Sequence, residues 1–194
     1  MMAQSNKQDI RGDGNFQIAG DYTQNIYPTV KPRLTQSKIH SLLLMICEAS
    51  AAHGFFRDLD LSLPAKVKEK LNHNKANKYI SVFRHQIREF ELIQEASQNI
   101  PNSEDILTQI SRCYANVAEF DDDGTPLIGD GSAQLDQIGP QLEEIIVSDE
   151  KFDSTLVTYE EIHNFIEALL MFGVWKCVAL VKPETGDVHF DFRG

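Results

Sequence analysis

Long hydrophobic runs are missing from this sequence. The most apolar segment, from Phe165 to Val181, is interrupted by Glu167 and Lys176, whereas a membrane-spanning helix needs about 20 consecutive apolar residues. The first fifteen residues, MMAQSNKQDIRGDGN, also lack the apolar stretch of a signal peptide. We therefore expect no membrane association and a cytoplasmic location.

Cysteine is scarce, and its spacing excludes two common uses. The three cysteines, Cys47, Cys113 and Cys177, form no CxxC pair, and their odd number does not suggest a disulfide framework. Each lies among apolar neighbours, where a free cysteine behaves as a small hydrophobic side chain. This usage fits a reducing compartment.

Positive charge is in deficit. The chain has 18 Lys and Arg against 29 Asp and Glu, which gives a formal net charge of −11. Such a charge repels phosphate backbones, so we expect no direct binding to nucleic acid. One lysine-rich segment is interpreted as the solvated face of a helix: Lys66, Lys68, Lys70, Lys75 and Lys78.

Catalytic and cofactor motifs are also missing. The sequence has no G-x-S-x-G elbow, no Walker A loop and no HExxH pair. GDGNFQIAG has the wrong third glycine spacing for a dinucleotide loop, and Asp121-Asp122-Asp123-Gly124 fails as a calcium loop because Pro126 stands where glycine is required. We expect no enzyme activity, no catalytic residue, no cofactor and no metal.

What the sequence does contain is a strong helical pattern. Apolar residues make up 42% of the chain, enough for a core. Apolar stripes at helical spacing predict a mainly α fold of about five to six helices over residues 31–194. The clearest start is the capping box Thr158-Tyr159-Glu160-Glu161, whose wide apolar face predicts a central, mostly buried helix. A single longer helix is predicted over roughly Lys75 to Asn99.

The end of the chain favours strands instead. After Gly173, VWKCVALV is rich in β-formers, PETGD is typical of a turn, and VHFDFR alternates. These features predict a C-terminal β-hairpin, with Trp175 opening its first strand. Trp175, Phe190 and Phe192 are the candidate partner-docking residues, and the alternative for Trp175 is a core position.

A Gly/Asp-rich arm occupies residues 1–30. Gly12-Asp13 recurs as Gly20-Asp21, and alternation between these pairs predicts a short β segment. Two short strands cannot bury a face alone, so copies from other chains would have to stack on them. A flexible tail or packing on the chain's own domain are the alternatives. The candidate self-association residues, which make a homo-oligomer the expected state, are Phe16, Ile18, Tyr22 and Ile26.

Three segments together resemble a known family. They are GDGNFQIAGDY, LSLPAKVKEKLNHNKANKY and FGVWKCVALVKPE. They resemble the C-terminal domains of ABC three-component systems, which are bacterial conflict systems built around an SMC-like ABC ATPase with a small middle component and an effector. In that family the domain usually follows an effector domain, whereas here only about ten residues precede the β segment.

The resemblance implies a stand-alone copy without the toxic activity. We therefore expect a non-enzymatic interaction or assembly subunit of an antiphage or conflict system, docking on the ATPase or the middle component. The family offers no catalytic residues to carry over. Two alternatives remain at this point: an acidic inhibitor that mimics nucleic acid, and an enzyme with an unrecognised site.

Overall fold

A computed structural model of the chain describes residues 37–52 and 62–183. Within these ranges the backbone forms helices and no strand, apart from an isolated antiparallel bridge between Phe120 and Pro126. The expected mainly α fold is confirmed there. The helices are α1 (Lys38–Ala52), α2 (Ala65–His73), α3 (Lys78–Arg84), α4 (Ile87–Asn99), α5 (Glu104–Ala115), α6 (Gly131–Val147) and α7 (Tyr159–Trp175).

Helix α7 is the centre of the fold, as its sequence predicts. It packs against each of the six other helices, and residues 168–174 form an unbroken buried run. The predicted capping box is confirmed: the Thr158 hydroxyl accepts from the Glu161 N–H at 3.2 Å, and the Glu161 carboxylate accepts from the Thr158 N–H at 2.7 Å. Each bond satisfies a backbone donor that a helix start would otherwise leave free.

Gly173 lets α5 pack tightly against α7. A Cβ built at Gly173 would lie 2.7 Å from the Cγ2 of Ile110, which is too close for a carbon contact. Gly173 is thus a packing position within α7, which continues to Trp175.

The prediction of one helix over Lys75–Asn99 is wrong, and this accounts for the seven helices in the described part of the chain, where about five to six were expected. The chain breaks between α3 and α4 at His85 and Gln86, and Gln86 has φ −108° and ψ 12°. The Gln86 amide is 5% exposed and donates to Asn164 at 3.2 Å and to Glu167 at 2.7 Å. The break thus coincides with a buried polar side chain that is bonded to α7.

The predicted C-terminal hairpin is also wrong over its first strand. Helix α7 continues to Trp175, and Cys177 then takes φ 61°. The Cys177 N–H bonds the Val174 carbonyl at 3.2 Å and the Val178 N–H bonds the Gly173 carbonyl at 3.0 Å. This is a Schellman C-cap, with cysteine where glycine is usual. The second predicted strand, residues 188–193, lies outside the described residues.

Burial explains why helix and turn replace the strand. The side chains of Val174, Ala179 and Leu180 are at most 4% exposed, so the apolar run that suggested a strand fills the core around the helix end. Leu180 also has a positive φ, 64°, which interrupts any extended run. Tertiary packing here overrides β propensity.

Asn74 fixes the segment that follows α7. Its side-chain amide donates to the carbonyls of Lys70 and Val181, both at 2.8 Å, and its carbonyl oxygen accepts from the Val181 N–H at 2.9 Å. Its backbone oxygen accepts from the Gly131 N–H at 2.8 Å. A fully buried asparagine therefore joins the end of α2 to the start of α6 and to the segment that follows α7.

One member of the lysine-rich segment is not solvated. Lys70 is 2% exposed, and its ammonium donates to the Val174 carbonyl at 3.3 Å, at the end of α7. Burial lowers the pKa of Lys70. A cation is favourable at this position because the helix dipole is negative at its C-terminus. The other four lysines of the segment are exposed.

Candidate functional site

A groove lies between α3, α6 and α7, and we call it the α3–α6–α7 groove. Its volume is about 350 Å³, near the lower end of the sizes typical of ligand sites. Helix α3 contributes its first turn, α6 its middle and α7 its first three turns. The lining residues are Lys78, Tyr79, Val82, Leu135, Asp136, Gly139, Pro140, Glu143, Tyr159, His163, Ile166, Glu167 and Leu170.

Asp136 organises one side of the groove. The Lys78 ammonium lies 2.7 Å and 2.6 Å from its two carboxylate oxygens, and the Tyr79 hydroxyl donates to it at 2.8 Å. Burial alone would raise the pKa of Asp136, but the bonds from Lys78 and Tyr79 outweigh it and hold that pKa below its usual value. The carboxylate therefore stays ionised and is largely neutralised by its own chain.

Glu167 organises the other side. One carboxylate oxygen lies 3.2 Å from Nε2 of His163, and the other accepts from the Gln86 amide at 2.7 Å. The Glu167 side chain is 21% exposed, so it is half-enclosed and still reaches the groove. The buried amide that breaks the α3–α4 helix thus also holds this carboxylate in place.

Aromatic rings form the rim. Tyr159 and His163 stand one helical turn apart on α7, with nearly parallel rings, 11° between planes and 6.1 Å between centroids. Tyr159 is 69% exposed. A large aromatic side chain therefore faces solvent at the edge of the groove.

Pro140 alters the α6 wall. It is inside the helix, where proline has no N–H to donate to the carbonyl four residues earlier, which belongs to Asp136. Both residues line the groove. The carbonyl of Asp136 therefore lacks its ordinary helical donor.

Two potential nucleophiles, the hydroxyl of Tyr79 and the thiol of Cys47, keep their protons. Burial, then the bond to and the charge of Asp136, raise the pKa of Tyr79 well above its usual value, so its hydroxyl stays protonated. Cys47 lines a smaller pocket of about 110 Å³ between α1, α4 and α7, and burial together with the charge of Glu161 raises its pKa to about 11. Neither group is activated as a nucleophile.

A buried His–Asp pair lies elsewhere and is used for structure. Nδ1 of His40 is 3.4 Å from Asp149, and both side chains are at most 2% exposed. The Asp149 carboxylate also accepts from the N–H groups of Ser37 and Lys151. These bonds hold the start of α1 against the connection between α6 and α7, and they leave the carboxylate occupied by backbone donors.

Most of the residues singled out in the sequence lie outside the described ranges: Phe16, Ile18, Tyr22, Ile26, Phe190 and Phe192. Trp175 is described, and it is half-buried at the end of α7. Its ring packs edge-on against Phe90 at 5.9 Å and stacks on Phe172 at 6.1 Å, with the Lys176 ammonium 4.7 Å above it. It therefore packs against core residues and is only partly exposed.

The groove was not predicted from the sequence, although one signal for it was present. Tyr159, His163 and Glu167 recur at intervals of four, which places them on one face of a helix. The partners from α3 and α6 carry no such local signal, because Lys78 and Asp136 are separated by 58 residues.

Over residues 37–52 and 62–183, no group of three or more His, Cys, Asp or Glu side chains is arranged to hold a metal ion. No helix in those ranges is long and apolar enough to cross a membrane.

Comparison of the chain with protein-family models, with curated proteins and with solved structures finds no match in any of the three.

Proposed function

We propose that this chain is a non-enzymatic interaction subunit and that a partner protein docks on the α3–α6–α7 groove. The observation that carries the proposal is a groove with fixed polar side chains and an aromatic side chain, Tyr159, that is 69% exposed at its edge. Interfaces combine apolar anchors with a polar surround in this way.

The groups in the groove favour binding over chemistry. Asp136 is neutralised by Lys78, Glu167 is held by Gln86, and Tyr79 keeps its proton because its pKa is raised. A general base or nucleophile works best with a pKa near the ambient pH. Fixed, paired side chains are instead what a specific docking surface needs.

The family resemblance supplies the candidate partner. We place the chain in an ABC three-component conflict system, where it docks on the SMC-like ATPase or the middle component. The Gly/Asp-rich arm, residues 1–30, would make the subunit a homo-oligomer through Phe16, Ile18, Tyr22 and Ile26. Light-scattering masses of the full chain and of a chain beginning at Val30 test that arm, and equal masses contradict it.

Co-purification tests the docking proposal. The tagged full chain is co-expressed with the SMC-like ATPase and middle component of the same genome, and retained protein is quantified. Wild type should retain one of them, whereas Tyr159→Ala should reduce retention about tenfold, the effect of removing an interface anchor worth about 1.4 kcal/mol. Met45→Ala removes another exposed apolar side chain, on α1, and should leave retention unchanged. Equal retention by all three proteins contradicts docking at the groove.

A further inference from the structure

The geometry points to an arginine side chain of the partner protein as the group that enters the α3–α6–α7 groove, with Glu167 as its anchor and Tyr159 as its stacking surface. This inference rests on the proposed docking function and adds the chemistry that the groove recognises. Charge, hydrogen-bond capacity, ring geometry and size each support it.

The charge of the groove favours a cation. Its lining carries three carboxylates, Asp136, Glu143 and Glu167, against the single ammonium of Lys78. Lys78 and Asp136 neutralise one another, so the remaining charge belongs to Glu143 and Glu167. The whole chain has a formal net charge of −11, which further favours the approach of a basic partner surface.

The Glu167 carboxylate has capacity left for a donor. Two carboxylate oxygens offer about four acceptor positions, and the contacts from His163 and Gln86 occupy one on each oxygen. Asp136 differs, because Lys78 and Tyr79 already provide three close contacts to it. Glu167 is therefore the better anchor, and the amide of Gln86 keeps it from turning away.

The rings favour arginine over lysine. A guanidinium is planar, stacks on aromatic faces and carries five donors, whereas an ammonium is a compact, strongly hydrated charge. Tyr159 and His163 present nearly parallel rings with centroids 6.1 Å apart, and His163 lies 3.2 Å from the Glu167 carboxylate. A planar cation that donates to this carboxylate therefore lies next to the ring pair.

The exposed rim favours a side chain that belongs to a protein. The groove, about 350 Å³, has room for an arginine side chain. A free small cation would leave the Tyr159 ring, 69% exposed, in contact with solvent, whereas a protein surface that delivers an arginine would cover it. We therefore assign the groove to a partner's arginine and not to a free metabolite.

An NMR titration of the labelled full chain tests the inference. The probe is N-acetyl-arginine N-methylamide, and the matched probes carry lysine or norleucine in place of arginine. The arginine probe should shift the amides of Tyr79, Gly139, His163 and Glu167, the lysine probe should bind more weakly, and the norleucine probe should shift none of them. Glu167→Gln, which keeps the size of the side chain and one acceptor oxygen but removes the charge, should weaken binding about fivefold, the factor that corresponds to about 1 kcal/mol.

Two further variants make the result decisive. Glu95→Gln removes the same charge at an exposed position on α4 and should bind the probe as wild type does. Because the Tyr159 side chain is exposed, Tyr159→Ala should weaken binding of the arginine probe without unfolding the chain. Equal shifts with the norleucine probe, no shift with the arginine probe, or undiminished binding by Glu167→Gln would each overturn the inference.

The inference and the proposed function fail in different ways. If Tyr159→Ala abolishes co-purification but the arginine probe produces no shift, docking stands and arginine recognition is wrong. If the arginine probe binds but Tyr159→Ala co-purifies normally, the groove does not dock this partner, and the assignment to its arginine falls with the proposed function.

Discussion

Replacing Asn74 by alanine should destabilise the fold more than any exposed substitution on α2. The change removes three side-chain hydrogen bonds, to Lys70 and to both backbone groups of Val181, at 2.8–2.9 Å. Each such bond contributes about 1 kcal/mol net, so the expected loss is about 3 kcal/mol. For a chain of this size that loss lowers Tm by about 6–12 °C.

Urea denaturation followed by circular dichroism measures this loss. Asn72→Ala is the matched control, because Asn72 is exposed in the last turn of α2, two residues before Asn74, and it should change stability by less than about 0.5 kcal/mol. Asn74→Asp has nearly the same shape but cannot donate to the two carbonyls, so it should cost at least as much as alanine. A loss below about 1 kcal/mol for Asn74→Ala would refute the role given to this residue.

Three further predictions concern the helix ends and the groove. Cys177→Gly should stabilise the fold by about 0.5–1 kcal/mol in thermal unfolding, because glycine adopts a positive φ without the Cβ penalty, while Cys177→Ala should bring no gain. Thr158→Ala should cost about 1 kcal/mol through loss of the capping box, and Thr108→Ala, a hydroxyl loss within α5, should cost less than about 0.5 kcal/mol in the same assay. Asp136 has a lowered pKa in the folded state. Its ionised carboxylate therefore stabilises the fold at pH values above the ordinary carboxyl pKa of about 4, and this stabilisation is lost as the pH falls through the pKa of the folded state. Asp136→Asn should therefore show a shallower loss of stability in acid, and an acid limb identical to that of wild type would contradict the pairing with Lys78 and Tyr79.

Local sequence signals were sufficient to predict the central helix, α7. Thr158 and Glu161 form a capping box that can be recognised in the sequence, and the apolar residues that follow occupy more than one face. The end of this helix was harder to predict from the sequence. Gly173 suggested a helix break, but its lack of a side chain serves the close approach of Ile110, which depends on a helix that is distant in sequence.

The break between α3 and α4 had no local signal at all. Apolar residues continue at helical spacing on both sides of Gln86, so one helix was the natural prediction. The partners of its amide, Asn164 and Glu167, lie about 80 residues further along the chain (separations of 78 and 81). A buried polar contact of this kind becomes visible only when the helices are packed.

Prediction of the groove would likewise have required contacts between residues that are distant in the sequence. The α7 residues Tyr159, His163 and Glu167 share a face that is evident from their spacing, whereas Lys78 and Asp136 meet only because α3 and α6 pack on α7. A position-by-position search for catalytic motifs does not find such a surface, because its residues form no motif. The proposal that it is a binding site rests on enclosure, charge and exposed aromatic groups together.

Hydrogen exchange of the full chain, alone and mixed with the SMC-like ATPase and middle component, tests groove docking most directly. Docking at the groove predicts slower exchange in the partner's presence over residues 78–82, 136–143 and 159–167, with α5 unchanged. Binding that leaves these three segments unprotected, or no binding at all, would contradict the central claim.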